Sequence, residues 1–193
     1  MEYSMKKHFS ACVLAGLLAV PAIAADTYTM DPEYTIPSFE VEHLGFSTQR
    51  GRFDKSEGKV MLDFAAKKGL VEFTVFTNSL DMGSRAWTVH VSSPGLFNIE
   101  EFPTMTFKSD KLIFEGNKVA AAEGQFTLLG VTKPIKVAVN RFTCGNNPVN
   151  KKPMCAGDIS ATIKRSDFGM TKYIPTVSDE IKINVPVEAY KEK

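Results

Sequence analysis

Glu180-Ile181-Lys182-Ile183-Asn184-Val185-Pro186-Val187-Glu188 is the stretch on which the fold turns, because branched apolar residues stand at every second position. A period of two puts Ile181, Ile183, Val185 and Val187 on one face of an extended strand. On a helix the same residues would be scattered around the axis. Pro186 has no amide proton, so its presence in the run predicts an edge or a bulge there.

The same alternation recurs upstream. Phe39, Val41 and His43 share one face, with Glu40 and Glu42 opposite. Val60, Leu62 and Phe64 form a second set, and Val71, Phe73 and Val75 a third. Met105 and Phe107, Phe126 and Leu128, then Ile135, Val137 and Val139 follow, and Ile159, Ala161 and Ile163 precede the final run. Turn residues separate them at Ser56-Glu57-Gly58, Lys67-Lys68-Gly69, Glu115-Gly116-Asn117 and Gly130 to Pro134. About eight strands with short connections argue for an all-β, antiparallel fold. Alternation alone allows either a sandwich or a closed barrel.

One segment departs from this pattern. From Ser84 to Phe97 there is no alternation, and Trp87, His90 and Val91 fall at helical spacing. A short helical insertion is therefore expected near residues 84–98, plugging or lining one end of a barrel. It holds the chain's single Trp.

The first residues set the expected compartment. Lys6 and Lys7 precede an apolar run from Ala11 to Val20, and Ala22-Ile23-Ala24 supplies small residues at both positions of a cleavage site. This is the layout of a secretory leader over residues 1–24, with one domain over 25–193. Cys12 lies ahead of most of the apolar run, which argues against lipidation. The leader carries two of the 23 Lys and Arg and one of the 22 Asp and Glu, so the remainder is formally neutral. Nucleic acid needs a positive field that such a chain does not supply.

Cys144 and Cys155 then remain as a pair, with turn-forming residues from Gly145 to Met154 between them. In an oxidising compartment this reads as a disulfide across the mouth of a hairpin. No nucleophile elbow, metalloprotease motif or phosphate loop is present in the sequence, so no catalytic residue, cofactor or metal is assigned. Of the fourteen Phe only Phe9 lies in the leader. That apolar content either fills a barrel completely or surrounds one ligand.

Several motifs in order resemble the YceI-like family. They are Met30-Asp31-Pro32, Ser38 to Thr48, Arg50-Gly51-Arg52-Phe53, His90-Val91 with Leu96-Phe97-Asn98, Phe102 to Phe107, Gly124 to Pro134, and Arg165-Ser166-Asp167-Phe168-Gly169-Met170. The match runs from about Thr27 to Ala189. The resemblance implies an extended, lipocalin-like barrel in the bacterial periplasm, with an internal tunnel for a long isoprenoid or similar amphiphile. Many members carry an Arg-Asp pair just before the His, where this chain has Trp87-Thr88 before Val89-His90. An aromatic ring in place of a charge suits an uncharged headgroup such as a quinone, for example ubiquinone.

Under this reading Phe39, Val41, Phe73, Val75, Phe107, Phe126 and Leu128 are the candidates for the tunnel wall. His43, Arg50, Trp87 and His90 are the candidates for its mouth. The expected partners are the lipid, a membrane component met transiently, and a second copy in a homodimer. The competing reading is an enzyme acting on such a lipid, with His43 or His90 as general base.

Overall fold

Every alternating run falls in a strand of the computed structural model, save Phe64, which lies one residue past its own strand. The structure describes residues 25–193; the leader expected over 1–24 lies outside the described residues. In chain order the elements are β1 (Asp26–Met30), β2 (Ser38–His43), β3 (Ser47–Phe53), β4 (Ser56–Asp63), β5 (Lys68–Phe76) and β6 (Leu80–Asp81). After the helix α1 (Arg85–Ser92) come β7 (Thr104–Glu115), β8 (Lys118–Leu128), β9 (Val131–Asn146), β10 (Pro153–Lys164) and β11 (Val177–Lys191).

Pairing in the order β1-β4-β5-β7-β8-β9-β10-β11 is closed by β11 returning to β1, which makes an eight-stranded antiparallel barrel. Closure removes the free sheet edges that an open sandwich would leave. The strands β2, β3 and β6 continue from the other half of β11 and lengthen the wall at one end.

β11 explains its own proline. Its first half pairs with β2 up to Asn184↔Ser38, and its last residues pair with β1 from Ala189↔Met30. Pro186 sits between the two partners, where neither β1 nor β2 pairs with β11. On its other side it faces Asp158, at the bulge between β9 and β10. The buried Thr35 closes the gap, its hydroxyl 3.4 Å from both the carbonyl and the amide of Glu188.

Several strands are longer than their alternation suggests, β7 among them. Along β7 the register against β8 shifts between Lys108 and Lys111. Met105 and Phe107 face inward before the bulge, whereas Leu112 lines the interior after it. A bulge inserts one residue and reverses the phase of the pattern, so the run stops looking periodic. β3 shows a different problem. Its inward positions include Gln49 and Gly51, which carry little apolar signal. Gly51 lies opposite Phe39, and a Cβ there would meet the Phe39 ring and Met82 Sδ. The bare backbone makes room for that ring.

The disulfide joins Cys144 and Cys155 as direct cross-strand neighbours, with Cα atoms 4.1 Å apart. The segment from Gly145 to Met154 is not loop throughout, as the sequence suggested. The ladder continues beyond the cysteines through Gly145↔Met154 and Asn146↔Pro153. Asn147 then organises the tip, its side chain accepting the amides of Val149 and Asn150. Closing a loop of this size contributes about 3 kcal/mol in the chain-entropy picture. Replacing both cysteines with Ala is therefore expected to lower the unfolding free energy by about 2–3 kcal/mol in urea titrations. An unchanged midpoint would contradict the assignment.

Candidate functional site

Because the apolar faces of all eight barrel strands point inward, the packing of their side chains decides whether the barrel is full. It is not. A cavity of about 640 Å³ runs along the interior. It extends from Tyr28, Leu62 and Cys155, past Phe73, Phe107 and Val137, to Val41, Trp87 and Tyr173. This is the size of a small-molecule or cofactor site, drawn out along the barrel.

The lining residues that are themselves exposed locate the opening. Leu44, Trp87, His90, Tyr173 and Thr176 all line the cavity and all reach solvent, and all lie at the end that carries α1. At the opposite end Tyr28 and Cys155 are buried, and Phe64 packs against Phe114 and Phe142 with ring centroids 6.3 Å away in each case. The tunnel therefore has a mouth and an aromatic floor.

Three segments build the mouth. The first is the turn between β2 and β3, with Leu44 at φ 58° and Gly45 at φ 71°. Two successive positive φ angles make the tight hairpin turn whose twist suits antiparallel strands. The second is α1, placed by bonds at each end: Thr88 Oγ1 accepts the amide of Met82 at 3.1 Å, and the amide of Phe97 reaches the carbonyl of Val91 at 3.1 Å. Leu96 and Phe97, both buried, then anchor the chain in the core against Phe39 and Phe53.

The third is the loop from Gly169 to Thr176, and a buried arginine holds it. Arg165 is only 3% exposed. Its Nε donates to the carbonyl of Ser178 at 2.8 Å, Nη1 to those of Met170 and Lys172, and Nη2 to that of Val177 at 2.9 Å. One guanidinium thus ties together both ends of the loop that carries Tyr173. Burial pulls the Arg165 pKa below its ordinary value, and nearby Asp179 opposes that shift.

Most of the residues chosen from sequence come together here. Phe39, Val41, Phe73, Val75, Phe107, Phe126 and Leu128 line the wall. His43, Trp87 and His90 lie at the mouth, the His43 ring edge-on to Trp87 at 5.5 Å and the His90 ring 5.7 Å from Tyr173. Arg50 does not join them. Alternation along β3 turns Gln49 inward and Arg50 outward, where Nε pairs with Glu40 across the ladder at 3.0 Å. Gln49, Tyr173 and Arg165 were not picked from sequence as site residues. Arg165 begins the late Arg-Ser-Asp-Phe-Gly-Met motif, the one signal that could have pointed to it.

Neither imidazole hydrogen-bonds to a carboxylate among the described residues. No cluster of three or more His, Cys, Asp or Glu side chains able to hold a metal occurs among them.

Asp179 supplies a pH test of the mouth loop. Its carboxylate accepts the Ser166 amide at 2.9 Å and the Ser166 hydroxyl at 2.7 Å. The hydroxyl bond is the main reason its pKa lies below the usual carboxylate value. A depressed folded pKa means that stability is fully present above the unfolded value and is lost as pH falls through the folded one. Melting temperature is expected to drop as pH falls below about 4. Asp179→Asn should start lower at neutral pH and lose less on acidification; an unchanged acid limb would contradict this role.

The comparisons with known proteins bear on this architecture. The family model described as YceI-like domain matches residues 28–189. The chain belongs to the YceI-like family. A UPF0312 protein of Shewanella denitrificans is 32% identical over 193 residues, covering 97% of this chain and all of that one. Among solved structures, Burkholderia cenocepacia BcnA aligns with a TM-score of 0.69 at 23% identity, over 82% of this chain and 98% of that one. A polyisoprenoid binding domain from Saccharophagus degradans aligns with a TM-score of 0.62 at 15% identity, over 86% of this chain and 98% of that one. At such identities these two structures speak for the fold. Within this YceI-like barrel, the bonds around Arg165 give a physical role to the first residue of the Arg165–Met170 stretch.

Proposed function

We propose that this YceI-like protein binds one long isoprenoid lipid, a polyprenyl quinone such as ubiquinone, and shelters it from water as a periplasmic carrier. The observation that carries this reading is the hollow interior: about 640 Å³, elongated, walled by apolar side chains and open at one aromatic end. Each buried CH₂ contributes about 0.8 kcal/mol, so a chain of several prenyl units supplies ample driving force without a directional contact.

The mouth argues for an uncharged headgroup. Arg165 touches the cavity, but its guanidinium is occupied by four backbone carbonyls. Apart from Leu44, Gln49 and Thr176, the other side chains that line the opening are Trp87, Tyr173 and the two imidazoles. These are flat groups suited to stacking on a quinone ring and donating to its carbonyls. The cations Arg85 and Lys172 stand outside the lining.

Trp87, the only Trp, makes the reading measurable. Adding ubiquinone from detergent is expected to quench its fluorescence saturably at one equivalent per barrel. Long-chain polyprenyl phosphate should compete poorly. Tighter binding of the phosphate than of the quinone would overturn the headgroup assignment. Turnover of either lipid, lost in His43→Ala or His90→Ala, would favour an enzyme instead.

A further inference from the structure

The opening of the tunnel carries an apolar rim that its lining does not need. Phe46 is 93% exposed and Val89 65% exposed, and neither touches the cavity. Leu44, Trp87 and Tyr173 line the opening and are exposed as well. These five side chains come from three separate segments around one hole: the β2–β3 turn, α1 and the Arg165-bound loop. Monomeric proteins seldom gather large apolar groups at one place without something that covers them.

Backbone geometry points the same way. Leu44 and Tyr173 sit at φ 58° and 67°, a region that bulky residues rarely occupy. A chain free of other demands would place Gly or Asn at such positions. Strain of this kind is retained where the surroundings fix a functional arrangement. Here it presents two apolar side chains at the mouth.

Charge selects the occupant. Arg85 opens α1 two residues before Trp87, is exposed, and has no ion-pair partner among the described residues. Lys172, also exposed, holds its Nζ 5.1 Å from the centre of the Tyr173 ring. Glu42, the nearest carboxylate along the β2–β3 turn, lies on the outer face of β2. Apolar tips, exposed amphipathic Trp and Tyr at the same opening, and exposed cations next to them in sequence form the pattern that partitions into a bilayer interface.

We propose that the rim is a docking surface for an anionic lipid bilayer, which brings the tunnel mouth to the lipid it takes up or returns. This rests on the lipid-binding reading of the cavity. A ligand insoluble in water has to enter from a membrane, and the rim sets the one open end of the tunnel against it.

Flotation with phosphatidylcholine vesicles, with and without phosphatidylglycerol, tests the proposal. The protein is expected to float with the anionic vesicles, and Trp87 emission to move to shorter wavelength. Phe46→Asp and Val89→Asp should each weaken partition roughly tenfold or more, since each removes a large apolar group from the contact. Arg85→Gln and Lys172→Gln should each lower the preference for phosphatidylglycerol about fivefold. Ubiquinone uptake from detergent is scored separately and should survive all four changes. If uptake fails in the unmodified protein, the cavity reading falls, while flotation still decides the rim. Failure of the unmodified protein to float, or equal flotation of Phe46→Asp, overturns the proposal. So does a dimer that Phe46→Asp splits in sedimentation while no form binds vesicles, because the rim would then join two copies.

Discussion

Ala122→Trp is expected to abolish lipid binding while leaving the barrel folded. Ala122 is buried on β8, between Leu112 of β7 and Val137 of β9, and all three line the tunnel about midway along it. A side chain of Trp size covers on the order of 150–250 Å², enough to block a passage one chain wide. The outcome separates two pictures of the interior. In a close-packed core an added ring forces side chains off their rotamers and costs about 1–3 kcal/mol. In a hollow tunnel the ring fills empty space, so the melting temperature holds or rises. Binding of detergent-dispersed ubiquinone should fall at least about tenfold, since lost burial of each CH₂ costs about 0.8 kcal/mol. A destabilised protein that still binds would show that the lipid lies elsewhere.

Arg165→Met carries the largest expected loss of stability. The side chain keeps its approximate length but supplies no donor to the carbonyls of Met170, Lys172, Val177 and Ser178. Unmade bonds of a buried group cost about 1–3 kcal/mol each at most, and neighbouring carbonyls recover some of this from water. Breaking a buried charged constellation as a unit typically costs about 3–5 kcal/mol. For a domain of this length each kcal/mol moves the melting temperature by about 2–4 °C, so a fall on the order of 10 °C is expected. Arg165→Lys should rescue little, because one ammonium cannot span four acceptors in a fixed fork. Accelerated proteolysis between Gly169 and Thr176 would place the damage at the mouth loop. A melting temperature within a degree or two of the parent would contradict the clamp.

The parts of the fold that were readable in sequence share one physical property. Wherever a strand keeps a single register, as β11 does against β10 from Met154↔Tyr190 to Lys164↔Glu180, the period of two survives intact in the residues. Where a bulge reverses the phase, as after Lys108, or where an inward position holds Gly51 or Gln49, the same wall leaves no readable pattern. Closure of the barrel depends on three pairs between β1 and β11, a contact far apart in sequence and invisible to periodicity. The resemblance to the family pointed to a barrel, and the geometry of those pairs shows how it closes.

The candidate site divides in a similar way. Apolar wall residues such as Phe73 and Phe107 were legible because facing inward is what alternation reports. Arg50 was misplaced because its neighbours gave no phase, and one residue of slip exchanges the tunnel for the outer surface. Arg165 and Tyr173 owe their positions to loop geometry and backbone carbonyls, which residue types alone do not encode.

A hollow barrel of this kind should hold one lipid through purification. Native mass spectrometry of the protein purified without detergent, followed by analysis of its organic extract, tests this most directly. One polyprenyl quinone per chain is expected, and none in Ala122→Trp. Protein that carries only phospholipid or fatty acid, or that stays empty when offered ubiquinone, would contradict it.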